Sequence, residues 1–350
     1  MDEHGEQETT RQRSPLRRAG KLLLTLTLIA LAFAGLAAGA VVVLSDRLAG
    51  QVERFPGVFS ELDPEQRPPQ TPMMTFLLVG TDSRAGQPTT GAAAPGTEFT
   101  PGSQRSDVVM LAQVSADGSH AGVVSLPRDS WVDVPGHGTT KLNAAYSLGG
   151  PGLLVHTVES LTKIRVDHFA VIDFSGFRAL TDAVGGINVN VASPATTEGF
   201  RFHAGPNHLD GPAALAYVRQ RKNLPGGDLT RVQRQQSALR ALLESAVSGG
   251  MLSDPLRTYR FLDTLTHWVS VDDTLTNSAL RSLALDLRSL RPGNITFLTA
   301  PVSGLGQEDG QSVVYLDSRR APRLWRALAA GNLEHYVRQF PDSRLGSSTR

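Results

Sequence analysis

The longest uninterrupted apolar stretch lies near the start of the chain, where residues 22–44 carry no charged side chain. A run of that length can cross a hydrocarbon core about 30 Å thick. Arg11, Arg13, Arg17, Arg18 and Lys21 gather on its N-terminal side, so the positive-inside rule predicts a single-pass anchor in the cell membrane, N-in and C-out. A cleaved signal peptide is the rival reading, with small residues at 36–40. The apolar core of a signal peptide spans only about 7–15 residues, which favours an uncleaved anchor. Residues 1–21 then form a basic cytoplasmic tail. Residues 45–74, with Pro64, Pro68, Pro69 and Pro72, read as an extracytoplasmic linker.

From residue 75 the pattern changes. A short apolar run at 75–80 reads as a buried strand, and runs at 108–114, 122–126, 169–174 and 187–191 read as further strands. Segments of helical period lie between several of them, at 153–162 and 175–184. Alternation of this kind predicts an α/β sheet covered by helices. Further helical patterns at 229–247, 255–268 and 277–290, strand signals at 295–299 and 313–316, and an amphipathic segment at 321–328 extend the same unit. No internal repeat or boundary interrupts it, so 75–335 is taken as one domain and 336–350 as a tail. The Gly- and Pro-rich stretch 86–102 reads as a loop.

Composition narrows the function classes. With 40% hydrophobic and 19% charged residues the chain can build a sizeable core, and its formal net charge of +1 gives no general attraction to polyanions. Nucleic-acid binding is not expected, because the basic residues are local and lie on the exported side. The chain has no cysteine, which removes disulfides and thiolate chemistry. His156, His168, His203 and His208 lack zinc-ligand spacing.

The basic residues concentrate in HLDGPAALAYVRQRKNLPGGDLTRVQRQQ, residues 208–236. Pro212 suits the first turn of a helix ending near Arg219. An extended segment after it puts Arg219 and Arg221 on one side. Asp228 is a candidate N-cap for a second helix, on which Arg231, Arg234 and Gln235 share a face. Arginines in a first turn oppose the helix dipole, so stability does not explain them, whereas an anionic ligand does. Guanidiniums bind phosphate oxygens bidentately. A solvated basic face is the alternative. Three loops at strand ends add Asp82 (GTDSR), Arg105 with Asp107 (QRSDV) and Arg128 with Asp129 (SLPRD). Taken singly, each reads as a surface turn or a structural ion pair. Asp82 and Asp107 suit a hard divalent cation, and Mg²⁺ uses one or two carboxylates with waters and substrate phosphates.

FLLVGTDSR, RSDVVML, SLPRDSWV, KLNAAYSLGG, VDHFAVIDFSGF, VGGINV and the 208–236 stretch, in this order, resemble the LytR-CpsA-Psr family of cell-wall assembly proteins. The resemblance implies a three-layer sandwich, a central mixed β-sheet flanked by helices, behind an N-terminal transmembrane helix. It implies a phosphotransferase that moves a glycopolymer from a polyprenyl-pyrophosphate carrier onto a peptidoglycan acceptor. It places Mg²⁺ on Asp82 and Asp107, pyrophosphate on Arg105, Arg128, Arg219 and Arg221, and Arg231, Arg234 and Gln235 around the head group. Lys141 and Asp228 carry over more weakly, and the insertion 85–103 departs from the family pattern. Asp107 is the candidate to take the acceptor's hydroxyl proton. Leu153, Leu154, Val158, Phe169, Val171, Ile172, Phe174 and Phe177 are candidates for an apolar cavity holding the lipid, although any one of them taken singly reads as ordinary core. Two other readings use the same pocket: a non-catalytic polyprenyl-pyrophosphate-binding envelope regulator and a metal-dependent pyrophosphatase.

Overall fold

The computed structural model describes residues 46–83, 89–91, 99–220, 228–247 and 254–346. The expected anchor at 22–44, most of the 86–102 loop and Arg221 lie outside the described residues. Among the described residues, no helix is long and apolar enough to cross a membrane. The elements begin with β1 (Glu53–Phe55), β2 (Met74–Ser83), β3 (Gln104–Val114), β4 (Ala121–Ser125) and the hairpin β5 (Trp131–Val134) and β6 (Gly138–Lys141). Helix α1 (Leu142–Thr162), β7 (His168–Asp173), α2 (Phe174–Ala183) and β8 (Ile187–Val191) follow. A small hairpin, β9 (Ala195–Thr197) and β10 (Phe200–Phe202), leads to β11 (Gly205–Leu209), α3 (Gly211–Arg219) and α4 (Asp228–Val247). The remainder comprises α5 (Pro255–Trp268), β12 (Val269–Asp272), α6 (Asn277–Asp286), β13 (Ile295–Thr299), β14 (Val302–Glu308), β15 (Gln311–Leu316), α7 (Ala321–Ala329) and α8 (Leu333–Gln339).

Seven strands form the central sheet in the order β1-β12-β7-β2-β3-β4-β13. It is mixed: β2 runs parallel to β7 and antiparallel to β3, while β13 runs parallel to β4. Period-two alternation sorts side chains between its faces. Leu77, Val79, Val109, Leu111, Phe169 and Val171 join α1, α7 and α8 in one core. Phe76, Met110, Val123, Val271 and Phe297 meet α4 and α6 on the other face. A sheet with helices on both faces is the expected α/β architecture. A further apolar cluster joins α2, α3, α4 and α5 to the β8–β11 pair.

Several expectations change. Residues 45–74 are not merely a linker: Leu48, Val52, Phe55, Val58 and Leu62 are buried, and β1 pairs with β12 at the sheet edge. Those apolar residues are sparse between polar ones, and their partners lie in distant segments such as Phe169 and β12, so no local period marks them. The reading of 336–350 as a tail is also corrected. Helix α8 buries Leu333 and Tyr336, and the Leu345 N–H donates to the Phe297 carbonyl at 3.0 Å. The helix expected from 153 starts at Leu142 and bends at Gly149–Gly150 before Pro151. Gly150 has φ +65°, and a Cβ there would sit 2.9 Å from the Phe99 ring. Glycine is required on both counts. The apolar residues offered as one lipid cavity divide: Leu154, Val158, Phe169 and Val171 are closed into the main core, whereas Ile172 and Phe177 pack in the α2–α5 cluster.

Candidate functional site

The carboxyl ends of β2, β4 and β7 and the start of antiparallel β3 all open at the same end of the sheet. That is where open α/β sheets place ligands. Gly80 pairs with Val108 and Thr81 with Ser106, so Asp107 is the extra residue of a β-bulge. A bulge re-aims the side chain beside it. Here Ser106 and Asp107 are both buried. The bulge turns Asp107 into a pocket that Asp82 also lines, two strands' carboxylates in one cavity of about 250 Å³. Phe174, Glu198, Val218, Arg219, Arg231 and Gln235 complete its wall.

Each cation is held by its own element. Helix α3 is started by Asp210, whose side chain accepts from the Ala213 N–H at 2.9 Å, with Pro212 in the first turn. It delivers Arg219 in its last turn, where a cation suits the dipole. The Arg219 guanidinium lies 5.1 Å from the Phe174 ring centroid and 3.9 Å from the Asp82 carboxylate. Both side chains of that pair are more than one third exposed (38% and 36%), so the contact leaves Arg219 open to a ligand. Arg231 and Gln235, one turn apart on α4, are 2% and 8% exposed and face the cavity.

Arg234 departs from the expected shared face. It is 1% exposed, stacks 4.7 Å from the Tyr217 ring and donates to the Gln220 side-chain oxygen at 2.6 Å. Burial draws its pKa below the ordinary guanidinium value, with Tyr217 opposing. It ties α4 to the end of α3 rather than lining the pocket. Gln236, which the sequence did not single out, donates to Ser125 Oγ at 2.8 Å and to the Leu298 carbonyl, fixing α4 on β4 and β13.

Arg128 sits in a rigid turn after β4. Its carbonyl accepts from the Asn143 N–H and that of Asp129 from the Val314 N–H, each at 2.9 Å. Its guanidinium pairs with Asp107 and lies 3.5 Å from Asp129, which in turn lies 3.5 Å from the Lys141 ammonium. Arg128 and Lys141 therefore form a charged chain behind Asp107 and outside the cavity wall. Arg105 is opposite Asp82 in register but exposed and outside the wall. Asp228 begins α4. Glu198 and Phe174 are the wall residues that the sequence did not place at the phosphate site. Glu198 belongs to no motif, and Phe174, within VDHFAVIDFSGF, reads as a candidate for the lipid cavity or the core.

Among the described residues, no group of three or more His, Cys, Asp or Glu is placed to hold a metal ion. The donor set still fits Mg²⁺, because Asp82 and Asp107 bring two oxygen ligands into a cavity with room for a phosphate.

The model of the LytR_cpsA_psr family matches residues 58–330. The chain belongs to the LytR-CpsA-Psr family. A probable cell wall biosynthesis protein, LcpB, of Corynebacterium glutamicum is 37% identical over 255 residues, 72% of this chain and 60% of that protein. The chain thus spans less than two thirds of that relative's length. The polyisoprenyl-teichoic acid–peptidoglycan teichoic acid transferase TagU of Enterococcus faecalis is 35% identical over 64% of this chain and 72% of its own. The crystal structure of Bacillus subtilis TagV superposes with a TM-score of 0.58 at 25% identity, covering 75% of this chain and 97% of that one. The shared LytR-CpsA-Psr architecture is the mixed sheet and its flanking helices.

Proposed function

We propose that this LytR-CpsA-Psr protein is a membrane-anchored phosphotransferase. It moves a glycopolymer, as a glycosyl-phosphoryl group, from a polyprenyl-pyrophosphate carrier onto peptidoglycan. One observation carries the reading: carboxylates from two strand ends and arginines from two helices converge on one polar cavity of about 250 Å³. A cavity of that size and lining takes a pyrophosphate head group and leaves the lipid chain outside. The Enterococcus faecalis relative, a polyisoprenyl-teichoic acid–peptidoglycan teichoic acid transferase, agrees with this division.

Displacement at phosphorus needs charge neutralised on the phosphate oxygens and the attacking oxygen held in line. Arg219 and Arg231 supply fixed positive charge, and Gln235 supplies an orienting amide. Phe174 places its ring under the Arg219 guanidinium. Arg128 holds Asp107 so that its carboxylate keeps one orientation. Asp82 and Asp107 would hold Mg²⁺, which supplies further neutralisation of the phosphate oxygens when bound. The anchor at 22–44 would keep the cavity near the membrane in which the carrier resides.

The test is incubation of the full chain, in detergent with Mg²⁺, with a polyprenyl-pyrophosphate-linked sugar and peptidoglycan fragments. Mass analysis should find a sugar phosphodiester on the fragments and free polyprenyl phosphate. Unchanged substrate would favour a binding role, and sugar phosphate released only to water would favour a pyrophosphatase. Either result overturns transfer.

A further inference from the structure

We propose that Glu198 is the general base that takes the proton from the acceptor sugar's hydroxyl. The inference rests on the transfer reading above. Three carboxylates line the cavity, and two of them are already engaged: Asp107 pairs with Arg128, and Asp82 lies against Arg219. Proton uptake by Asp107 would break its buried ion pair at the moment when the site must hold phosphate charge. Among the described residues, the Glu198 carboxylate has no ion-pair or hydrogen-bond partner. It stands at the wall of the same cavity with one side exposed to water.

Its backbone supports the assignment independently. Thr197 pairs with Phe200, so Glu198 and Gly199 are the two-residue loop of the β9–β10 hairpin. Their φ values are +50° and +83°. A two-residue hairpin with both central residues at positive φ favours Asn-Gly or Asp-Gly. The short side chain of Asn or Asp can bond its own backbone there, and glutamate gains no such help. Glutamate is therefore a poor choice for the turn and a useful one for the cavity, since its longer side chain carries the carboxylate from the hairpin tip to the wall. Strained positions of this kind gather at functional sites.

The step balances without an added co-reactant. The acceptor hydroxyl oxygen forms a bond to the sugar-linked phosphorus, and the bond from that phosphorus to the bridging oxygen breaks. The bridging oxygen leaves as part of polyprenyl phosphate with the bonding pair. The hydroxyl proton passes to the Glu198 carboxylate and from there to water. Arg219 and Arg231 face the same space and offset the charge on the phosphates, and neither can accept the proton.

The experiment measures transfer by the full chain and by Glu198→Gln and Glu198→Asp, with calorimetric binding of the carrier-linked sugar to each. A general base contributes about 10²- to 10⁴-fold. Glu198→Gln should lose roughly a hundredfold or more in kcat. Its affinity for the carrier-linked sugar, its Mg²⁺ midpoint and its melting temperature should stay at the parent's values, and Glu198→Asp should recover part of the rate. If the parent transfers and Glu198→Gln keeps its kcat, the assignment is wrong while transfer stands. A rate loss that is restored by raising Mg²⁺ would make Glu198 a metal ligand and also overturn it. A parent that transfers nothing overturns both readings together.

Discussion

The two ends of the central sheet both bury charge, and they treat it in opposite ways. At the end where β2 and β7 begin, Arg67 donates to both carboxylate oxygens of Glu159, at 2.7–3.2 Å, and to the Val166 carbonyl at 2.6 Å. The Val166 N–H returns a bond to Glu159 at 2.8 Å, and the Arg67 guanidinium covers the Phe59 ring. Asp272 is equally satisfied. Burial, the largest single influence, pushes its carboxyl up, but hydrogen bonds from His168, Thr274 and the Phe169 N–H together hold it below the usual carboxylate range. At the end where β2 and β7 finish, Asp82, Asp107, Glu198, Arg219 and Arg231 surround a cavity instead. Buried charge saturated by its own chain belongs to the fold, and charge arranged around open space belongs to a ligand.

Breaking the closed end should produce the largest effect. Arg67→Ala leaves Glu159 buried and unpaired, a loss of about 3–5 kcal/mol. Chemical denaturation should show it as a lower midpoint, with any fall in turnover explained by the unfolded fraction. The open end should behave in reverse. Arg219→Lys keeps the charge and loses the planar fork. A charge-assisted hydrogen bond contributes about 1.5–3 kcal/mol, so turnover should fall roughly ten- to a hundredfold with an unchanged melting temperature. Equal activity would return Arg219 to the class of solvated surface residues.

A third change sharpens the contrast within one side chain. Glu198→Gly removes the left-handed strain, worth roughly 1–2 kcal/mol, so thermal melting should show a more stable protein. The same variant should be inactive in transfer. The smallest effect is expected at Arg240, on the same helix as Arg231 but with its guanidinium only 3.4 Å from the Gly346 carbonyl and outside the cavity. Arg240→Lys should stay within about 0.5 kcal/mol of the parent in stability and match its turnover.

The motif residues were readable because they sit at the ends of apolar runs that a local period reveals. Asp82 and Asp107 follow and precede such runs, and the sheet brings the two together. The bulge that re-aims Asp107 was not readable, since it depends on the register between β2 and β3. The spacing of Arg231, Arg234 and Gln235 placed all three on one helix and brought Arg231 and Gln235 to the cavity, but could not say that Tyr217 and Gln220 would take Arg234 away from it. Glu198 carried no signal beyond a Glu-Gly turn, because its role depends on where the β9–β10 hairpin lies against the strand ends. The same limit hid β1, whose pairing with β12 joins segments far apart in the chain.

The central claim is that the open end of the sheet is a pyrophosphate pocket. Calorimetric titration of the full chain with farnesyl pyrophosphate and Mg²⁺ tests it most directly, with Arg219→Gln alongside. The parent should bind one equivalent, and Arg219→Gln should bind at least about tenfold more weakly, the equivalent of one lost charge-assisted hydrogen bond. Equal affinity of the two proteins, or no binding to the parent, would contradict the account.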